Sequence, residues 1–350
     1  IDYFFGKKIL NFMYSSQIIK NPQIVKMEEE RLFKMIQKKE KEYRIKNNYY
    51  HHTLKPNVKI GSTWGTMRYT TCTDKYGFRS LCKKQNKKNY NKTIVIIGDS
   101  FTEGLGLNYN ETFGGMYTNH SQLQVLNMGV TSYSPIIYYH KLKYYIDSGL
   151  RINHVIVFID ISDIDDEANV YKLCDNKKTV CDNITKKKLS VDNVNSEKKN
   201  FYLLNKIGVE IKKLKRTIRP KNYIYQKNFH RSNWTFIEEN TAIKKGINNS
   251  LKYMDELSNY LNSNNISLSV AVYPHPGQIL FDNVNSKQVK IWKNFCTSKC
   301  KYFINAFPTF FEDKGKIKNM RIINKYYIEN DMHLNGNGNR KIANFKNNLF

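Results

Sequence analysis

The 350-residue chain lacks the features by which several protein classes are identified. No apolar run reaches the ~18 residues that a membrane-spanning helix requires, so no segment of this sequence is predicted to cross a bilayer. The sequence has neither a Gly-x₄-Gly-Lys-Ser/Thr loop nor a Gly-x-Gly-x-x-Gly loop, the two common phosphate-binding turns of nucleotide-binding proteins. No nucleotide cofactor is therefore predicted.

Patterns of metal ligands are also lacking. A zinc site needs two nearby Cys pairs of tight spacing, or His partners, and only Cys296 and Cys300 approach that spacing, with no His near them. The acidic segment 160–167 has no central Gly and no terminal Glu at the offsets that a calcium-binding EF-hand loop requires. We predict no metal site.

The net charge of +27 is typical of nucleic-acid-binding proteins, but no recognition helix or aromatic ribonucleoprotein motif accompanies it. The lysines are spread over the chain, as at 38–41 and 186–188. This pattern favours a solvated basic surface, and no nucleic-acid partner is expected. An anionic membrane surface or an acidic polysaccharide is the alternative partner for such a surface.

The cysteines fall into three pairs that are close in sequence. The pairs are Cys72/Cys82, Cys174/Cys181 and Cys296/Cys300. Local disulfides formed in an oxidising compartment are the favoured interpretation, and six reduced, buried thiols are the alternative. Because the chain begins with Ile1 and not Met, we expect that a signal or membrane anchor preceded it.

A β-branched run at 93–97 ends in Gly98, Asp99 and Ser100, as a buried parallel strand does when it carries a polar residue to its carboxyl end. A serine hydroxyl becomes nucleophilic only beside a base, usually a histidine held by a carboxylate. The late pair Asp331 and His333 supplies both groups. The three residues are a predicted catalytic triad, and a helix cap is the alternative role of Ser100.

Strands alternate with helices along most of the chain, which predicts a parallel, doubly wound α/β sheet. The predicted strands are 93–98, 123–128, 154–160, 267–273 and 301–305, and the clearest helices are 136–148 and 241–263. Residues 1–91 form a predicted N-terminal extension, with a helical segment at 23–46 and irregular structure at 51–91. The polar stretch at about 165–235 is a predicted insertion that forms a lid or substrate rim.

Four blocks of this sequence resemble those of the SGNH (GDSL-type) hydrolase superfamily, in family order. The blocks are 98–102, 127–132, 160–167 and 331–336. The resemblance covers residues 93 to about 345, interrupted by the insertion, and makes 92–350 an SGNH hydrolase-like domain. It implies a three-layer α/β/α sandwich with a flavodoxin-like parallel sheet, and acyl transfer through a serine ester without a cofactor.

The same resemblance implies an oxyanion hole formed by the N–H groups of Ser100 and Gly129 and by Ser162, which stands where the family usually has asparagine. The family usually spaces its Asp and His by two residues, which would select Asn330. Asp331 is preferred because an amide cannot offset the charge of an imidazolium. His275, which follows the fourth predicted strand, is the reserve base or a substrate contact.

Three functions follow from these observations. The first is a serine esterase that removes small acyl groups, such as acetyl, from envelope or extracellular glycans. The second is a polysaccharide O-acyltransferase with the same triad. The third is a non-catalytic, basic glycan- or nucleic-acid-binding module on a hydrolase-like scaffold, because a fold does not fix a function. The cysteine pairs and the resemblance predict a periplasmic, secreted or outward-facing membrane-anchored protein.

Overall fold

A sheet of five parallel strands runs through the centre of the molecule. The computed structural model describes residues 43–65, 67–83, 90–120, 123–183, 231–237, 240–317 and 319–345. In chain order, the strands are β1 (Arg44–Asn47), β2 (His51–Leu54), β3 (Lys59–Trp64), β4 (Met67–Cys72), β5 (Thr93–Gly98), β6 (Gln124–Asn127), β7 (His154–Ile159), β8 (Tyr171–Leu173), β9 (Val180–Asp182), β10 (Ser267–Val272) and β11 (Tyr302–Asn305).

The central sheet has the order β6–β5–β7–β10–β11. Numbered along the chain, these five strands stand in the order 2-1-3-4-5, which is the flavodoxin-like arrangement. Each predicted strand of the sheet is present within a residue of its predicted bounds. The expected fold is confirmed.

Helices cover both faces of this sheet. They are α1 (Ser100–Glu103), α2 (Phe113–His120), α3 (Pro135–Asp147), α4 (Asp163–Asn169), α5 (Thr241–Ser263), α6 (Pro276–Phe281), α7 (Lys287–Lys299), α8 (Phe307–Phe311), α9 (Asn319–Tyr326) and α10 (Gly336–Ala343). Side chains of α3, α5 and α7 pack on one face, and side chains of α2, α9 and α10 pack on the other. The result is a three-layer sandwich.

Strand β7 shows why the sheet is buried on both sides. All six of its residues are buried. Val155, Val157 and Ile159 point toward the α3, α5 and α7 layer, whereas Ile156 and Phe158 point toward the opposite layer. An apolar run without polar alternation is what a strand between two helical layers requires.

The N-terminal region differs from its prediction. Residues 44–54 and 59–72 form two antiparallel hairpins, β1–β2 and β3–β4, and not irregular structure. The β3–β4 strands contain three Thr residues together with Ile60 and Tyr69, which are residue types that favour strands, and Gly65 at the turn has φ +54°. The predicted helix at 23–46 lies mostly outside the described residues, and its residues 44–46 belong to β1.

All three predicted cysteine pairs are disulfides. The Cα–Cα distances are 5.2 Å for Cys72–Cys82, 5.2 Å for Cys174–Cys181 and 4.7 Å for Cys296–Cys300. The first bridge ties the end of β4 to the following loop, the second closes the β8–β9 hairpin, and the third lies at the end of α7. No helix in the described ranges is long and apolar enough to span a membrane.

The start and end of the predicted insertion are ordered elements. Helix α4 and the β8–β9 hairpin form its first part, and Trp234 near its end packs against Ile161, Ile164 and Ile247. The described residues do not include 184–230. A lid or substrate rim in the insertion stays a prediction.

Glu167 of α4 caps the start of α3. Its Oε1 accepts hydrogen bonds from the Ser134 hydroxyl at 2.8 Å and from the Ile136 N–H at 2.6 Å. Burial raises the pKa of Glu167 to about 7. The carboxyl group therefore folds most favourably in its neutral form.

This raised pKa makes stability depend on pH. Folding raises the pKa of Glu167 from 4.5 to about 7. The stabilisation that this group contributes to the folded state is therefore complete below pH 4.5 and is lost as the pH rises through 7. We expect Glu167→Gln to lose less stability than the wild type between about pH 5 and about pH 8 in thermal unfolding. Glu256→Gln, on the exposed face of α5, is the matched control. Equal slopes of stability against pH for Glu167→Gln and the wild type would contradict the prediction.

Candidate active site

Ser100 stands where strand β5 becomes helix α1. Asp99 is the N-cap of this helix, and its Oδ1 accepts a hydrogen bond from the Phe101 N–H at 2.9 Å. Ser100 is 8% exposed, so most of the residue is buried. Its position is at the carboxyl edge of the sheet, where open α/β proteins place their sites.

Two glycines allow α1 to lie directly against the sheet. A Cβ at Gly98 would come within 2.2 Å of Thr102 Oγ1, and a Cβ at Gly129 would come within 2.7 Å of Thr102 Cβ. Thr102 thus fits between the end of β5 and the loop after β6. Any larger residue at either glycine would push Ser100 away from its position.

The structure brings the three predicted triad residues together. His333 Nε2 lies 2.9 Å from Ser100 Oγ, and His333 Nδ1 lies 2.5 Å from Asp331 Oδ1. The His333 backbone N–H also donates to Asp331 Oδ1, at 2.8 Å. Asn330 is exposed and has a left-handed backbone with φ +58°, so the turn directs Asp331 and not Asn330 toward the ring.

These contacts decide which ring nitrogen carries the proton. Because the Asp331 carboxylate only accepts hydrogen bonds, the neutral ring holds its proton on Nδ1, and Nε2 can accept the proton of Ser100. Ser100 Oγ also lies 3.0 Å from Asp99 Oδ2. Burial, and then the charge of Asp160, raises the pKa of Asp99 well above its ordinary value. The raised pKa favours the protonated form of Asp99, which is a weaker acceptor for the serine proton than a carboxylate.

Trp64, at the end of β3, is a site residue that no sequence pattern indicated. Its indole Nε1–H donates to Asp331 Oδ2 at 3.0 Å, and its ring meets the His333 ring edge to face with centroids 5.0 Å apart. Burial alone would raise the pKa of Asp331. The hydrogen bonds from His333 and Trp64, together with the charge of His333, hold that pKa below its ordinary value.

Glu103 joins α1 to two neighbouring segments. Arg44 of β1 contacts both carboxylate oxygens, at 3.0 and 2.6 Å, and Thr131 donates to Oε2 from its N–H and its hydroxyl, both at 2.7 Å. Burial opposes the charge of Glu103, but the paired Arg44 holds its pKa below the ordinary value. Glu103 therefore fixes the loop that carries Gly129.

The candidate oxyanion donors differ in what they already bind. The Gly129 N–H donates to Asn127 Oδ1 at 2.9 Å, so it would serve an oxyanion only by sharing or releasing that bond. The Ser162 N–H donates to Asp160 Oδ1 at 2.8 Å. Ser162 is the N-cap of α4, yet its side chain makes no capping hydrogen bond. Their oxyanion roles stay predictions.

His275 lies away from any accessible surface. It is the N-cap of α6, is 1% exposed, and its ring centroid is 5.7 Å from that of Phe101. So little exposed surface does not favour direct contact with a substrate. The roles of reserve base and substrate contact stay predictions for His275.

A large cavity lies apart from the triad, and the described residues hold no metal cluster. Among the described residues, no cluster of His, Cys, Asp and Glu side chains has metal-binding geometry. The cavity, of about 970 Å³, lies beside β6 and the Cys72–Cys82 bridge, and its lining includes no triad residue. The space that borders both Ser100 and His333 is much narrower and is lined by Phe101, Leu105 and Leu334 among others.

The chain was compared with known proteins. No family model matches it, and no curated protein matches it in sequence. A G-D-S-L family lipolytic protein from Veillonella parvula aligns at 11% identity over 74% of this chain and 97% of its own, with a TM-score of 0.38.

Two other solved structures give similar values. An alpha/beta hydrolase enzyme from the metagenome of Lake Arreo aligns at 11% identity over 73% of this chain and 93% of its own (TM-score 0.40). An acetylxylan esterase from Geobacillus stearothermophilus aligns at 10% identity over 75% and 95% (TM-score 0.40). The structures matched include members of the family that the sequence blocks resemble.

Replacement of the acid separates the two candidates for its role. Asp331→Asn should lower kcat by about 10⁴-fold, because the amide favours the wrong ring tautomer and cannot balance an imidazolium. Asn330→Ala should lower kcat far less, because the Asn330 side chain is exposed. Steady-state kinetics on both variants checks this. A larger loss in Asn330→Ala would transfer the role to Asn330.

Replacement of Ser162 separates a catalytic role from a structural one. Ser162→Ala should lower kcat by about 10²–10³-fold with little change in KM, as expected when one oxyanion donor is lost. Its melting temperature should stay close to that of the wild type, because no capping bond is removed. Ser162→Asn should restore activity. An unchanged kcat in Ser162→Ala would remove Ser162 from the oxyanion hole.

Proposed function

We propose that this protein is a serine esterase that cleaves acyl esters. The observation that supports it most directly is the continuous hydrogen-bonded series from Asp331 through His333 to Ser100, with spacings of 2.5 and 2.9 Å. A helix cap needs no such histidine. A purely binding module would not require an aligned nucleophile, base and acid.

In the proposed reaction, His333 Nε2 takes the Ser100 proton while Ser100 Oγ attacks the ester carbonyl. Asp331 holds the proton on Nδ1 and balances the imidazolium that forms. Backbone N–H groups of Ser100 and Gly129, together with Ser162, would stabilise the oxyanion. His333 then returns the proton to the leaving alcohol, and water releases the acyl group by the same steps.

The proposed substrate is an acylated glycan outside the cytoplasm. The void that Ser100 and His333 share has no room for a water molecule, so it does not set the length of the acyl chain. The strongly basic surface and the three disulfides suit an acidic or acylated glycan outside the cytoplasm.

A panel of acyl esters and a covalent probe test this proposal. The wild type should react with a fluorophosphonate and hydrolyse acyl esters of the panel. Ser100→Ala should do neither. His333→Ala should lose about as much activity as Ser100→Ala, and the double variant should be little worse, because triad members act as a unit.

The outcomes separate the alternatives. Equal labelling of the wild type and Ser100→Ala would contradict serine catalysis and favour a binding module. Product analysis with and without an added oligosaccharide separates transfer from hydrolysis. Acylated sugar as the main product would replace the esterase by an O-acyltransferase with the same acyl-enzyme.

A further inference from the structure

Trp64 donates a hydrogen bond to the Asp331 carboxylate from a distant part of the chain, outside the loop that carries the triad acid and base. The Asp331 carboxylate receives the ring and backbone N–H groups of His333 on Oδ1, and the indole N–H of Trp64 on Oδ2. Its side chain is 23% exposed and that of His333 is 6% exposed. Both carboxylate oxygens are thus hydrogen-bonded.

Trp64 is held by the β3–β4 hairpin. It pairs with Met67 across the tight turn at Gly65, and the buried hydroxyls of Ser62 and Thr71 form a cross-strand hydrogen bond of 2.7 Å in the same hairpin. A two-χ aromatic side chain on a paired strand has little freedom to move. It is therefore suited to fixing the direction of a neighbouring carboxylate.

We propose that Trp64 is a positioning residue of the triad, which holds Asp331 through Oδ2 and packs edge to face with His333, so that the N-terminal hairpin completes the active site. The inference rests on the proposed serine esterase. The hydrogen bond from Trp64 to Asp331 has two consequences. It fixes Asp331 Oδ1 on the Nδ1 side of the His333 ring, and it withdraws negative charge from the carboxylate that faces this base.

Trp64→Phe removes the N–H and keeps an aromatic ring beside His333. We expect kcat/KM to fall about 10- to 100-fold, the range for losing a hydrogen bond to a charged group. The acid limb of the kcat/KM profile, which reports protonation of the base, should move to higher pH, because the carboxylate then attracts an imidazolium more strongly. Trp64→His, which returns a ring N–H, should recover part of the rate.

Thr71→Val is the matched control, since it breaks the Ser62–Thr71 bond in the same hairpin and leaves Trp64 in place. It should lower the melting temperature without moving the pH profile. A fall in rate for Trp64→Phe with the acid limb unmoved would mean that Trp64 only supports packing, and would overturn the inference. An unchanged rate would do the same.

A readout without substrate separates this inference from the proposed function. Proton NMR of the His333 Nδ1–H resonance reports the Asp331–His333 bond directly. In Trp64→Phe, the shift and the pH titration of this resonance should differ from those in the wild type and in Thr71→Val. Failure of Ser100 to react with the fluorophosphonate would contradict only the proposed esterase activity. An unaltered His333 resonance in Trp64→Phe would contradict the positioning role of Trp64.

Discussion

The close approach of helix α1 to the sheet positions everything else in the site. Thr102 fits between Gly98 and Gly129, where any Cβ would collide with it. This contact sets how far Ser100 stands from strand β5, and hence its 2.9 Å distance to His333. A shift of about 1 Å at this junction would misalign the nucleophile and its base.

The second constraint is the buried charge next to that junction. Glu103 is 1% exposed and would be costly to bury alone, but Arg44 contacts both its oxygens and Thr131 supplies two further donors. Its contacts tie β1, α1 and the loop after β6 into one unit. Together with the Trp64–Asp331 bond, they make the N-terminal hairpins part of the site and not a separate appendage.

Much of the fold was predictable because its signals are local. The run at 93–97 has the apolar, β-branched composition of a strand buried on both faces, and α5 was predicted with its observed bounds of Thr241–Ser263. The hairpins at 44–72 were missed because short strands of mixed composition are weak signals outside a repeating pattern. The burial of His275 was not predicted, because a strand-end position does not fix the direction of a ring.

The sequence by itself determined the positions of the strands and the triad candidates, since a β-branched run, a serine after a strand and an Asp/His pair are patterns of neighbouring residues. The order of the strands in the sheet comes from the tertiary structure. Only the tertiary structure decided between Asn330 and Asp331, because the left-handed turn at Asn330 sets which side chain faces the ring. It alone also revealed Trp64 and Arg44 at the site. Trp64 lies 267 residues from its partner, and no local pattern encodes a contact across that separation.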